Sequence, residues 1–249
     1  MSGRAKAPSA ARVEEHVRRP GPSASGLHAR PGEPGDDLEA LHQESVALAL
    51  PLGEAALGQL AAYLALLRKW NAAYNLTAVR DAAQMRVQHI ADCLAVIAPL
   101  RRELAKDAGR PQRILDVGSG GGLPGVMLAI AEPAWDVSCV DTVGKKAAFV
   151  RQAAGELALP NLHALHARVE ALPDSPFDVI TSRAFASLPD FVRLTRALLA
   201  PGGVWMAMKG RRPDDELAAL PADIEVFHVE PLAVPGLDAE RCLVWMRPR

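Results

Sequence analysis

Cysteine is scarce in this chain. Three occur in 249 residues, Cys93, Cys139 and Cys242, far apart and odd in number. That excludes a disulfide framework and a Cys-x-x-Cys metal site. Cys139 and Cys242 stand in apolar, strand-like runs and read as buried core residues. Aromatic residues are few, at 4 %, but an apolar share of 49 % is ample for a core. A strong charge of either sign is also missing. The formal net charge is −1, so the molecule as a whole does not attract nucleic acid, and any RNA binding must come from a local basic patch. No apolar run reaches the length of a membrane span. The start of the chain lacks the apolar core of a signal peptide. The cytoplasm is the expected location, with no membrane contact. The seven histidines are scattered. His163 and His166 flank one strand-like run, and nothing nearby completes a metal set, so no metal is expected. Residues 1–40 are rich in Ala, Arg, Gly, Pro and Ser and cannot bury a core. They read as a disordered, solvated tail. Arg4, Arg12, Arg18, Arg19 and Arg30 suggest an RNA-seeking arm or a transit peptide, but Glu14, Glu15, Glu33, Asp36 and Asp37 weaken both ideas. The expected domain is 41–249.

What is present is concentrated in Arg113–Gly125. Ile114, Leu115 and Val117 form a short apolar strand with Asp116 near its end. Gly118, Gly120, Gly121 and Gly122 follow, and Pro124 opens an apolar run that reads as a helix with proline in its first turn. Strand, glycine turn and helix make a nucleotide-binding crevice. Glycines allow positive φ and close approach of a ligand, and free amides at a helix start favour electron-rich groups. Two patterns compete. Gly120-x-Gly122-x-x-Gly125 matches the dinucleotide fingerprint, with Asp141 downstream to grip a ribose. Asp116-x-Gly118-x-Gly120-x-Gly122 matches the first motif of S-adenosylmethionine-dependent methyltransferases. The acidic residue two positions before the first glycine, and glycines that begin directly after the strand, favour the second.

Helical spacing of Leu57, Leu60, Ala61, Leu64 and Leu67 predicts a helix over 54–73. A polar break, Asn71–Thr77, precedes a second helical region over about 81–100. These two form an N-terminal helical cap, within about 54–100, on the α/β unit. His89 lies in the second helix and reads as a structural histidine paired with Asp92. From 113 onward strands and helices alternate, which predicts an α/β fold with a parallel sheet. Strands are expected near 113–117, 136–140, 162–166, 177–181 and 204–208, with helices near 144–157 and 188–199 and a turn at Pro201-Gly202-Gly203. Two further strands near 224–230 and 241–247 lack a strong helix between them and read as an antiparallel closure.

In a doubly wound sheet, ligands sit beyond the carboxyl ends of the strands. Asp116, Asp141, Glu170, Arg183 and Lys209 all fall there, in phase. Asp141 is placed to accept from both ribose hydroxyls. The Glu170 region faces the adenine edge. Asp116 and the backbone of Gly118, Gly120 and Gly122 hold the amino acid end of the cofactor. Lys145 and Lys146 read as a solvated helix face. RNA contact is assigned to Arg68, Lys69, Arg80, Lys145, Lys146, Lys209, Arg211 and Arg212, provided that these share a face. Trp70 and Tyr74 are candidates to stack on a base, although Trp70 reads better as core.

Asn75-Leu76-Thr77, His89-x-x-Asp92, Leu115–Gly125, Lys145-Lys146 and Ser182-Arg183-Ala184-Phe185-Ala186 stand in the order found in one family. Over residues 45–247 the chain resembles the bacterial G-type methyltransferases of small-subunit ribosomal RNA, also called glucose-inhibited division protein B. The resemblance implies a class I, Rossmann-like methyltransferase sheet. It implies methyl transfer from S-adenosylmethionine to N7 of one guanine in a loop of 16S rRNA near the decoding region. It carries cofactor contacts onto Gly118, Leu123, Val169, Glu170 and Arg183. Arg183 is the expected catalytic residue, acting on the cofactor or on RNA phosphate. Cys93 and Thr142 stand where the family usually has serine. Guanine N7 carries a bare lone pair, so no general base is required and catalysis rests on positioning. The rival classes are a nicotinamide-dependent oxidoreductase and a non-catalytic RNA-binding or assembly factor. A small-molecule methyltransferase is a milder alternative.

Overall fold

Alternation of side chains along seven strands builds the protein around one sheet. The computed structural model describes residues 34–105, 111–173 and 175–249, together with positions 1 and 3. The chain runs α1 (Pro34–Ala47), α2 (Glu54–Tyr74), α3 (Ala82–Met85), a π-helical turn (Arg86–Ala91), α4 (Asp92–Leu94) and α5 (Ile97–Leu104). The α/β part continues as β1 (Arg113–Val117), α6 (Gly125–Ala131), β2 (Asp136–Asp141), α7 (Gly144–Glu156), β3 (Leu162–His166) and β4 (Phe177–Ser182). It ends with α8 (Leu188–Thr195), β5 (Leu199–Lys209), α9 (Asp214–Ala218), β6 (Ile224–Pro231) and β7 (Cys242–Pro248).

The strand order is β3-β2-β1-β4-β5-β7-β6. Strands β1 to β5 are parallel, and β7 enters antiparallel between β5 and β6. The expected antiparallel closure is therefore present. The strand order reverses between β1 and β4, which opens a crevice at their carboxyl ends. Neighbouring residues face opposite layers, as the pleat requires. Ile114, Val137, Cys139, Val179, Met206 and Trp245 meet the layer containing α1, α2, α6 and α7. Leu115, Val140, Ile180, Trp205, Val244 and Met246 meet the layer of α8.

The N-terminal helices pack directly on the α/β unit. Leu60, Leu64 and Leu67 of α2 are buried in the same core as α6 and α7. Each such leucine contributes about 1.5–3 kcal/mol. Asn75 closes α2 in the left-handed region at φ 52°, a conformation asparagine tolerates. The second helical region is broken into short pieces around the π-turn, not continuous as its periodicity predicts. Most of the expected tail lies outside the described residues. Its last part, from Pro34, is helical. The reason is tertiary: Asp37 accepts two hydrogen bonds from Arg68 of α2, and Leu41 is buried. The Pro201-Gly202-Gly203 turn is a bulge inside β5, where the partner register jumps from Phe177↔Leu199 to Val179↔Val204. Helix α6 starts at Gly125, with Pro124 as its cap and not its first residue.

Candidate active site

Two pockets open at the carboxyl ends of the parallel strands, and Ala184 lines both. The first, of about 290 Å³, is walled by Val117, Gly118, Val140, Asp141, Thr142, Val143, Lys146, Ala167, Val169 and Phe185 as well. Asp141 ends β2 and is buried. Its Oδ2 accepts from the Gly120 amide at 3.0 Å and its Oδ1 from the Val143 amide at 2.8 Å. Lys146 Nζ lies 3.7 Å from Oδ2. A carboxylate has about four acceptor positions, so both oxygens keep capacity for hydroxyl donors in the pocket.

The glycine turn is shaped by what a side chain would strike. At Gly118, φ is 66° and a Cβ would come 2.8 Å from the Phe185 ring. At Gly122, φ is 78° and a Cβ would come 2.4 Å from Val126. Gly120 differs: nothing lies within 4 Å of where its Cβ would stand. Most amides of the turn are engaged inside the protein. Those of Gly118 and Ser119 donate to the Val140 carbonyl, and those of Gly122 and Leu123 to the Ser119 carbonyl. The expectation of free amides at the helix start therefore fails at Gly125. Its amide donates to Asp116 Oδ2 at 2.9 Å.

That bond also relocates Asp116. The residue is fully buried, is not part of the pocket wall, and leaves Oδ1 without a hydrogen-bond partner. Burial pushes its carboxyl up to about 7. Gly122 and Leu123 are likewise buried behind the wall. Val169 faces the pocket, but Glu170 is exposed and sits 3.8 Å from Arg168. Thus Gly118, Asp141 and Val169 converge on the first pocket, with Gly120 beside them, whereas Asp116, Gly122, Leu123 and Glu170 stand outside its lining.

Arg183 belongs to the second pocket, of about 360 Å³, with Gln88, His89, Asp92, Met208, Lys209, Gly210 and Arg241. Its Nη1 donates to the Gln88 carbonyl at 3.0 Å and to Asp92 Oδ2 at 3.4 Å, and lies 3.4 Å from His89 Nδ1. The π-turn makes the first of these contacts available. A regular helix would send the Asp92 amide to the Gln88 carbonyl. Here it goes to the carbonyls of Val87 and His89. Asp92 is buried and also accepts from Arg241 Nε at 2.9 Å. The expected His89–Asp92 pair is not the arrangement seen: His89 Nε2 is bonded to Thr77 Oγ1 at 2.7 Å. Burial and the nearby Arg183 charge push the His89 imidazole down to about 4, so the ring is neutral at neutral pH.

The expected RNA cations do not form one free set. Arg68 is tied to Asp37, Arg212 to Asp214, and Lys209 to Glu216 at 2.8 Å. Lys145 donates to the Tyr74 carbonyl. Lys69 and Arg211 are exposed. Trp70 packs edge-on against Phe149 and touches the core, whereas Tyr74 is 47 % exposed. Arg241 escaped sequence reasoning because it precedes a strand. In an antiparallel β7 the start of the strand lies beside Lys209, at the same edge of the sheet, and that order is the signal that finds it. Among the described residues no cluster of three or more His, Cys, Asp or Glu is placed to hold a metal.

Comparison with known proteins agrees with this geometry. The solved structure of TrmN from Thermus thermophilus has a TM-score of 0.50 at 21 % identity, covering 87 % of this chain and 80 % of that one, which shows the fold. The ribosomal RNA small subunit methyltransferase G of Leptothrix cholodnii is 62 % identical over 213 residues, 86 % of this chain and 96 % of that protein. Its counterpart in Bordetella avium is 53 % identical over 209 residues, 84 % and 92 % of the two chains. Residues 56–244 match the family described as rRNA small subunit methyltransferase G. Since that match spans both pockets, and relatives this similar extend over nearly their whole length, the chain belongs to the rRNA small subunit methyltransferase G family.

Proposed function

We propose that this protein transfers a methyl group from S-adenosylmethionine to N7 of a guanine in 16S rRNA, in the small ribosomal subunit and in the cytoplasm. The first pocket fits the cofactor. It offers a buried carboxylate with spare acceptor capacity, open space over Gly120, and apolar walls from Val140, Val169 and Phe185. Asp141 holds the ribose hydroxyls, and Val117, Gly118 and Phe185 line the same pocket. When bound, S-adenosylmethionine supplies an electrophilic methyl group on sulfur.

The acceptor reading rests on one observation. In the pocket that meets the first at Ala184, the groups that could take a proton are each already paired within the protein. His89 is engaged at both nitrogens, and Asp92 holds two arginines. An exocyclic amine or a hydroxyl acceptor loses a proton during transfer, whereas guanine N7 presents a lone pair and loses none. Residues here therefore orient the acceptor and exclude water, and they relay no proton. Arg183 lines this second pocket, next to the shared Ala184, and fixes that orientation. Family membership removes the nicotinamide-dependent alternative, which rested on Gly120, Gly122 and Gly125 alone. The test is transfer from labelled S-adenosylmethionine to rRNA, followed by digestion. Label in 7-methylguanosine supports the proposal. Label in a different nucleoside, or binding without turnover, overturns it, the latter in favour of an assembly factor.

A further inference from the structure

Three separated segments form one chain of contacts that ends on a guanidinium. Thr77 lies in the polar break after α2, His89 on the π-turn, and Arg183 just beyond β4. Thr77 is itself fixed, because its amide donates to Asn71 Oδ1 at 2.9 Å. Its hydroxyl oxygen receives the Val79 amide at 3.2 Å and lies 2.7 Å from His89 Nε2. The other ring nitrogen, Nδ1, faces Arg183 Nη1, which can only donate. A proton on Nδ1 would set donor against donor. The proton therefore belongs on Nε2, pointing at Thr77, and Nδ1 accepts from Arg183.

We infer that Thr77 and His89 are positioning residues for Arg183: Arg183 fixes the imidazole tautomer, Thr77 Oγ1 accepts the resulting Nε2–H and holds the ring in place, and the imidazole helps hold the guanidinium in the second pocket, next to Ala184. Three acceptors, the Gln88 carbonyl, His89 Nδ1 and Asp92 Oδ2, all engage Nη1. The remaining edge of the guanidinium is left for the reacting molecules. The neutral state of His89 agrees with this, since a protonated ring would repel Arg183. The inference rests on the proposed function for its kinetic arm only.

The experiment combines kinetics with nitrogen NMR of the full chain. In the wild type, the His89 resonances should report a protonated Nε2 and an unprotonated Nδ1. Thr77→Val, which keeps the shape and loses the acceptor, should leave the proton on Nε2 without its partner and shift the Nε2 resonance. It should also lower kcat about tenfold with no change in S-adenosylhomocysteine affinity. Thr77→Ser should retain the wild-type tautomer and kcat. In an Arg183→Ala background, Thr77→Val should cost nothing more, because the two substitutions remove one interaction. A wild-type ring protonated at Nδ1 overturns the inference. So does a Thr77→Val loss that multiplies with that of Arg183→Ala, or an equal loss in Thr77→Ser. If Thr77→Val fails to fold, the wild-type spectrum and Thr77→Ser decide. Failure of the wild type to methylate rRNA overturns the proposed function, while the tautomer is read without any acceptor.

Discussion

At the scale of single residues, the two aspartates at the strand ends do different work. Asp141 faces the first pocket and binds two backbone amides as well. Asp141→Ala should abolish S-adenosylhomocysteine binding in calorimetry, and undiminished binding would remove Asp141 from the ribose role. Asp116 instead anchors the first amide of α6 from a fully buried position. Its carboxyl titrates in the folded chain at about 7, above its ordinary value of 3.8. A group raised in this way favours folding while protonated. Its contribution is complete below the unfolded value and disappears as pH rises through about 7. Asp116→Asn keeps the acceptor for Gly125 and carries no charge. Its Tm relative to wild type should therefore climb as pH rises through this window, and a constant difference would contradict the buried charge. The sequence placed both residues at strand ends correctly. It could not tell them apart, because strand position says nothing about which way a neighbouring amide points.

At the scale of elements, α2 reaches into the site from outside the α/β repeat. Tyr63 is fully buried and donates from its hydroxyl to the Gly121 carbonyl at 2.7 Å. Its ring meets Phe149 of α7 edge-on at 5.9 Å. Tyr63→Phe should leave that carbonyl without its donor, at a cost of about 1–3 kcal/mol in denaturant unfolding. An unchanged midpoint would show that the turn holds itself. The helical spacing of α2 was legible, but Tyr63 sat among apolar positions with nothing to mark its hydroxyl. The π-turn was less legible still. One residue of extra winding leaves no mark in apolar periodicity, so a continuous helix was the natural expectation for 81–100. The bulge in β5 was hidden for the opposite reason: Pro201-Gly202-Gly203 looks like a turn, and only pairing with β4 keeps it in the strand.

At the scale of the whole molecule, the alternation of strands and helices after residue 113 made the sheet readable, including its antiparallel closure. The placement of charges was not readable, because Asp37 and Glu216 claim Arg68 and Lys209 through side chains that only the fold brings together. With a net charge of −1, RNA binding must rest on local exposed cations such as Arg211. Arg211→Ala should reduce the slope of log affinity against log salt for small subunits by about 0.7–0.9 for each phosphate no longer neutralised, without altering cofactor affinity. An unchanged slope would place the RNA elsewhere. The central claim is that two pockets meeting at Ala184 join the cofactor to an acceptor that loses no proton. It is tested most directly by supplying labelled S-adenosylmethionine to small subunits from cells lacking the enzyme, with naked 16S rRNA in parallel. The account predicts label in 7-methylguanosine at a single site of the RNA. Label at an exocyclic amine or a ribose hydroxyl, or none despite measured cofactor binding, would contradict it.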